Sequence, residues 1–197
     1  MAKIILVSFT FLLSSLALPA FEKLPAQYQV SYGNTSAPIK VVEYFSLSCP
    51  KCLQSFKKDF KSIRESFIDT NKVHWSFHVN PTDLATLQAM VCLEKLPPKE
   101  KRVFWEVVID SLDTPSEACT IMQVAMEALG KPLPQLSDLS YLEHTNSFKT
   151  AYKYLKQADV IQEIPTVEIN GKIHDAFPSL KFLEKQFSSL STQRKPS

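Results

Sequence analysis

The spacing of apolar positions divides the chain into segments of different period. Ile4 to Leu18 is almost continuously apolar, broken only by Ser8, Thr10, Ser14 and Ser15. After a polar lead-in, Pro38 to Phe45 is β-branched and aromatic, the pattern of a buried strand. Ser46 to Ser48 is a short turn. From Cys49 onward, Cys52, Leu53, Phe56, Phe60, Ile63 and Phe67 recur at spacings of mostly three and four, which draws one apolar stripe on a helix. Pro50 falls in its first turn, where proline is tolerated. Val73 to Val79 alternates with period two and stops at Asn80-Pro81, predicting a second strand. Strand, helix, strand in this order predicts a parallel pair.

From about Asp83 to Asp159 the alternating pattern disappears, and at least four helical segments are punctuated by Pro97-Pro98, Pro115 and Gly130 with Pro132. Thr114-Pro115-Ser116-Glu117 is a capping box with proline at the first helical position, and Gly130 supplies the matching stop. Strand character returns at Pro165 to Ile169, turns at Asn170-Gly171 and resumes at Lys172-Ile173-His174, which predicts a tight hairpin. Phe177 to Phe187 is expected to be a closing helix with Leu180, Leu183 and Phe187 on one face.

Composition narrows the class. The 197 residues carry a formal net charge of +2, with 45% hydrophobic and 21% charged residues, as in ordinary folded proteins of one or two domains. Only Gly33, Gly130 and Gly171 occur, so neither a dinucleotide-binding G-x-G-x-x-G nor a phosphate-binding P-loop can be written. Balanced, interspersed charge lacks the positive footprint that nucleic acid requires. Lys3 followed by the Ile4–Leu18 run has the form of a secretory signal, with cleavage expected after Ala17 or Ala20. An uncleaved anchor is the alternative, although the run is shorter than the ~20 residues of a bilayer span. Export places the chain in an oxidising compartment, where cysteines invite disulfide chemistry.

Cys49-Pro50-Lys51-Cys52 carries the strongest chemical signal. Two thiols at this spacing on a helix start can close a disulfide. Zinc would want a second close pair, and Cys92 and Cys119 are too far apart in sequence for that, so no metal is expected. The positive end of the helix dipole favours a thiolate at Cys49, making it the nucleophile, whereas Cys52 lies on the apolar stripe and serves as the resolving thiol. Cys92 and Cys119 fall on two different expected helices, and a structural disulfide clamping them is expected, two free buried thiols being the alternative. His74 and His78 share a strand face and are expected to serve packing rather than metal binding. Lys57, Lys58, Lys61 and Arg64 read as the solvated face of the first helix.

Glu43-Tyr44-Phe45-Ser46-Leu47-Ser48-Cys49-Pro50-Lys51-Cys52, with Ile164-Pro165-Thr166 and Asn170-Gly171-Lys172 far downstream, resembles the DsbA family of thioredoxin-fold periplasmic thiol-disulfide oxidoreductases. The resemblance covers the mature chain and implies an α/β thioredoxin fold interrupted by an all-helical domain. It implies that Pro165 is a cis-proline lying against the motif. It also implies that Glu43 shuttles a proton for the inner thiol; the alternative is a strand-end carboxylate facing water or paired with a lysine. Lys51 stands where the strongly oxidising members carry histidine, and Ile164 precedes the proline as in many thioredoxins, both pointing to a weaker oxidant. Lys51 is expected to favour the neighbouring thiolate, against the alternative of a solvated side chain with little effect.

The expected organisation is a signal peptide at 1–20, a thioredoxin-fold domain at 21–81 and 160–190, a helical insertion at 82–159 and a flexible tail at 191–197. The expected function is that of an exported, periplasmic, monomeric, mild dithiol oxidase. It needs no cofactor, donates its Cys49–Cys52 disulfide to reduced exported proteins, and is reoxidised by a membrane partner resembling DsbB. A reductase or isomerase kept reduced, or a non-enzymatic peptide-binding chaperone, are the alternatives.

Overall fold

The computed structural model describes residues 22–157, 161 and 163–192. The expected signal peptide and residues 193–197 of the expected tail lie outside them. Five strands form one sheet in the order β1-β3-β2-β4-β5. β1 is Gln29–Tyr32, β2 Ile39–Phe45, β3 Val73–Val79, β4 Thr166–Ile169 and β5 Lys172–His174. β2 and β3 are parallel, joined by the helix between them, and every other pair is antiparallel. β1 lies in what sequence reading took for a polar lead-in. Its four residues alternate half-buried and buried, but Gln29 and Ser31 hide that period from a hydrophobicity pattern.

The helix after β2, here α1, spans residues 50–68. It is α-helical at Pro50–Ser55 and Lys61–Ile63, and π-helical at Phe56–Phe60 and Arg64–Ile68. The π turns modify the expected stripe at its far end. Each adds a residue to the turn, so Ile68 joins the fully buried core while Phe67, half-buried, packs against its edge. Phe67 meets Phe187 edge-on, with ring centroids 4.9 Å apart. α1 covers the sheet face that carries Tyr32, Glu43, Phe45, Trp75 and Phe77. Phe56 and Phe60 both meet Phe77, at 5.5 and 4.9 Å, and such edge and tilted contacts add to the burial of each ring.

Between β3 and β4 the chain runs through α2 (Leu84–Leu93), α3 (Pro98–Ser111), a short 3-10 turn (Pro115–Glu117), α4 (Ala118–Ala128), α5 (Leu139–His144) and α6 (Asn146–Leu155). Glu117 accepts the Thr114 N–H at 3.1 Å, closing the expected cap, and Gly130 at φ 64° ends α4. Trp105 of α3 joins this layer to the sheet through Phe45, 5.3 Å away. α7 (Leu180–Thr192) closes the fold. It starts three residues later than expected. Pro178 disfavours helix in the residue before it, and the Ser179 hydroxyl accepts the Phe182 N–H at 3.3 Å as the cap. Ser191 and Thr192, assigned to the tail from sequence, belong to this helix. Gly33 is required where β1 leaves the sheet: its φ is +82°, and a Cβ there would stand 2.7 Å from the Val73 carbonyl.

Candidate active site

β2 runs up the centre of the sheet and ends at Phe45, and the turn after it brings Cys49 to the N-cap of α1. Cys49 has extended backbone angles and its Sγ accepts the Cys52 N–H at 3.3 Å, the arrangement a serine or aspartate cap adopts. Pro50 at the first helical position has no N–H to satisfy. Cys49 is half-buried and Cys52 fully buried. The Cys52 thiol donates to Cys49, and this bond, ahead of the backbone N–H groups of Cys52 and Lys51 and the Lys51 charge, holds the Cys49 thiol down at about 6 despite burial. At pH 7 such a thiol is about nine-tenths thiolate. The same bond, followed by burial and the nearby charges of Cys49 and Glu43, pushes Cys52 strongly up, so it keeps its proton. Lys51 is exposed and makes the smallest contribution to the Cys49 shift.

The opposite wall of the site comes from the segment entering β4. The Ile164–Pro165 bond is cis, and the Ile164 carbonyl faces the Cys49 thiol at 3.7 Å. Lys51, Pro165, Asp175 and Phe177 line a cleft of about 170 Å³ beside it. A larger cavity of about 610 Å³ opens elsewhere, lined by Ile39, Phe67, Phe187 and Leu190, and none of the four cysteines lines it.

Glu43 sits on the same sheet face as Trp75 and is 2% exposed, which removes the water-facing alternative. Burial, and secondarily the charge at Cys49, push its carboxyl up to about 8. The Trp75 indole N–H opposes this rise without closing a full hydrogen bond, since Glu43 Oε1 and Trp75 Nε1 both stay unpartnered. Glu43 is therefore mostly a neutral acid at pH 7, within electrostatic reach of both motif thiols.

Other residues singled out from sequence lie away from this site. Cys92 on α2 and Cys119 on α4 are brought close, yet the expected bridge is not formed here: all four cysteines are free thiols. Burial, then the neighbouring Cys119, push Cys92 up to about 12. His78 is a buried packing residue whose Nε2 accepts the Leu24 N–H at 2.8 Å between the rings of Tyr44 and Tyr154. His74 is half-buried on the same face. The basic cluster on α1 is not wholly solvated as expected. Lys57 donates to the Leu112 carbonyl at 2.9 Å and Arg64 reaches Glu106 at 3.5 Å, tying α1 to α3 and the end of that helix. Sequence reading missed Ser46, Ser48, Asp83 and Thr86, which form a hydrogen-bonded group directly behind Cys49. Their one signal was an aspartate before the apolar run of α2, an ordinary helix-start sign.

Residues 26–187 match a family model described as thioredoxin. A curated relative, "Probable disulfide bond formation protein D" of Bacillus anthracis, is 25% identical over 164 residues, covering 78% of this chain and 75% of that protein. A "Putative protein-disulfide oxidoreductase" of Rickettsia bellii is 44% identical over 41 residues, 21% of this chain and 16% of that one. Among solved structures, alpha-DsbA1 of Wolbachia pipientis superposes with a TM-score of 0.63 at 23% identity, over 86% of this chain and 94% of its own. BdbD of Bacillus subtilis does so with 0.64 at 22%, over 85% and 95%.

Proposed function

Because this chain belongs to the thioredoxin family, with the helical insertion of the DsbA-type fold between β3 and β4, we propose that it is a thiol-disulfide oxidoreductase working as a mild dithiol oxidase. Its substrates are reduced exported proteins. The observation that carries this reading is the Cys49 sulfur at the start of α1, accepting the Cys52 N–H and the Cys52 thiol proton beside the Ile164 carbonyl. Stabilising the Cys49 thiolate stabilises the reduced enzyme, and a stable reduced form makes the disulfide a better oxidant.

In the oxidised enzyme a substrate thiolate attacks Cys49 Sγ, the Cys49–Cys52 bond breaks, and Cys52 leaves with the electron pair. Neutral Glu43 supplies the proton that Cys52 takes up. A second substrate thiolate then attacks the substrate sulfur of the mixed disulfide and expels Cys49 as the thiolate that the helix start favours. The substrate leaves oxidised and the enzyme leaves with two reduced cysteines. Pro165 and the Ile164 carbonyl form the wall against which the substrate backbone lies. Lys51 adds a small electrostatic contribution to the same thiolate. Reoxidation is assigned to a membrane partner of the DsbB kind, no cofactor is required, and the enzyme works as a monomer in the periplasm after signal cleavage. Among the described residues no helix is long and apolar enough to cross a membrane. A Cys92–Cys119 bridge forms when the protein is exposed to the oxidising compartment.

Oxidised protein mixed with reduced, unfolded ribonuclease A should restore nuclease activity faster than glutathione disulfide alone, and Cys49→Ser should abolish the effect. Unchanged refolding by Cys49→Ser would favour a peptide-holding chaperone. Insulin reduction without ribonuclease oxidation would favour a reductase. N-terminal sequencing of exported material should begin after Ala17 or Ala20; an intact Met1 in a membrane fraction would refute cleavage.

A further inference from the structure

The turn that delivers Cys49 to α1 is held from the helical insertion. Asp83 is the N-cap of α2, and its Oδ1 accepts the Thr86 N–H at 2.8 Å, which is all that capping requires. The same carboxylate also reaches out of its own helix. Oδ2 accepts from the Ser46 hydroxyl at 2.5 Å and Oδ1 from the Ser48 hydroxyl at 2.9 Å. Thr86 Oγ1 donates to Oδ2 at 2.8 Å and accepts the Leu47 N–H at 2.9 Å. Ser46 Oγ in turn accepts the Ser48 N–H at 3.0 Å, and the Ser46 carbonyl accepts the Cys49 N–H at 3.2 Å. Each of the three residues before the nucleophile is thus tied to Asp83 or Thr86. The carboxylate accepts four hydrogen bonds, which fills its lone-pair positions.

We propose that Asp83 is a positioning residue for the redox step: from the start of α2 it fixes the Ser46–Ser48 turn that presents Cys49 to the N–H groups opening α1. The inference deepens the oxidoreductase reading and rests on it for the step it serves. Its physical basis is that helix-terminus stabilisation fades within the first turn, so the sulfur must be held against those donors rather than merely near them. Serine hydroxyls bound to a carboxylate make stronger hydrogen bonds than neutral pairs, which makes these ties of the turn to α2 firm ones. The insertion thereby contributes to the reactivity of a thiol carried by the sheet domain.

The sign of the effect separates positioning from simple electrostatics. Removing a carboxylate charge near a thiolate would by itself lower the thiol pKa, whereas loosening the turn raises it. Thiolate absorbance near 240 nm, followed against pH in reduced protein, is the readout, with folding checked by circular dichroism. Asp83→Ala is expected to raise the Cys49 pKa from about 6 by at least one unit, a tenfold loss in thiolate below the titration. Asp83→Asn, which keeps one acceptor oxygen, should fall between. Ser48→Ala should reproduce part of the shift, and the Asp83→Ala/Ser48→Ala double variant should add nothing to Asp83→Ala. A folded Asp83→Ala protein with an unchanged or lowered Cys49 pKa would overturn the proposal, leaving Asp83 a helix cap alone. Should Asp83→Ala fail to fold, Ser48→Ala decides by the same measurement. The titration uses no substrate, so failure of the oxidase reading, seen as no ribonuclease oxidation by the unmutated enzyme, is distinguishable from failure of this inference.

Discussion

Replacing Glu43 with glutamine removes a titrating group while keeping the shape of the side chain. In the fold the Glu43 carboxyl is pushed by burial from 4.5 to about 8. In the unfolded chain it ionises at its ordinary value, so above pH 4.5 folding must take up a proton. A carboxyl raised in this way weakens the fold progressively as pH rises from its unfolded to its folded pKa. Each unit between them costs about 1.4 kcal/mol, giving roughly 3 kcal/mol at pH 7 and at most roughly 5 above pH 8. Glutamine escapes that cost. Its buried amide brings a penalty of about 1–3 kcal/mol of its own, but one independent of pH. Urea unfolding of both reduced proteins between pH 4.5 and 8.5 should therefore show Glu43→Gln gaining stability on the wild type as pH rises, by several kcal/mol across the range. The same variant should slow substrate oxidation by about a hundredfold, since a positioned acid or base contributes 10²–10⁴. A stability difference flat with pH would refute the raised carboxyl, and an unchanged rate would refute its proton role.

Three further outcomes follow from the same structure. His78 is held neutral, lowered by burial to about 4, so the stability its neutral form contributes is present above pH 6.5 and lost as pH falls toward 4. That loss is about 3 kcal/mol, and His78→Gln should remove this part of the acid slope in thermal unfolding. Lys51→Glu should raise the Cys49 pKa by under about one unit, because Lys51 is exposed and its charge is the smallest influence on that thiol; Lys51→His should shift the glutathione equilibrium toward a stronger oxidant. Mild reduction and alkylation of oxidised protein should label only Cys49 and Cys52 by mass spectrometry. Cys92→Ala should then cost about 3–4 kcal/mol of stability while keeping the redox reaction, and alkylatable Cys92 in untreated protein would refute the bridge.

The sequence made the central layers legible because their burial is strong and periodic. β2 and β3 carry long β-branched and aromatic runs, and the Asn170-Gly171 turn places both residues at positive φ as a two-residue hairpin requires. β1 was hidden because the alternate residues of this edge strand, Gln29 and Ser31, are polar and only half-buried. The end of α1 was only partly legible because periodicity assumes 3.6 residues per turn, and two π turns bring Ile68 into the core beside the expected Phe67. The motif thiols stood out through their spacing alone. Asp83 did not, since its ties to Ser46 and Ser48 cross more than thirty residues and depend on how α2 docks beside the turn. Cys92 and Cys119 were placed on the right two helices, but proximity in space and a bond between them are separate questions, and here they are two thiols.

The central claim, that Cys49 and Cys52 form a redox couple poised as a mild oxidant, is tested most directly by equilibrating the protein with glutathione and reading the reduction potential of that pair. The expected value lies between about −270 mV, typical of thioredoxin, and about −120 mV, typical of DsbA. The depressed Cys49 pKa places it above the lower limit, and the modest contribution of Lys51 keeps it below the upper one. A value at or below that of thioredoxin, or a pair that forms no disulfide with glutathione at any ratio, would contradict the account.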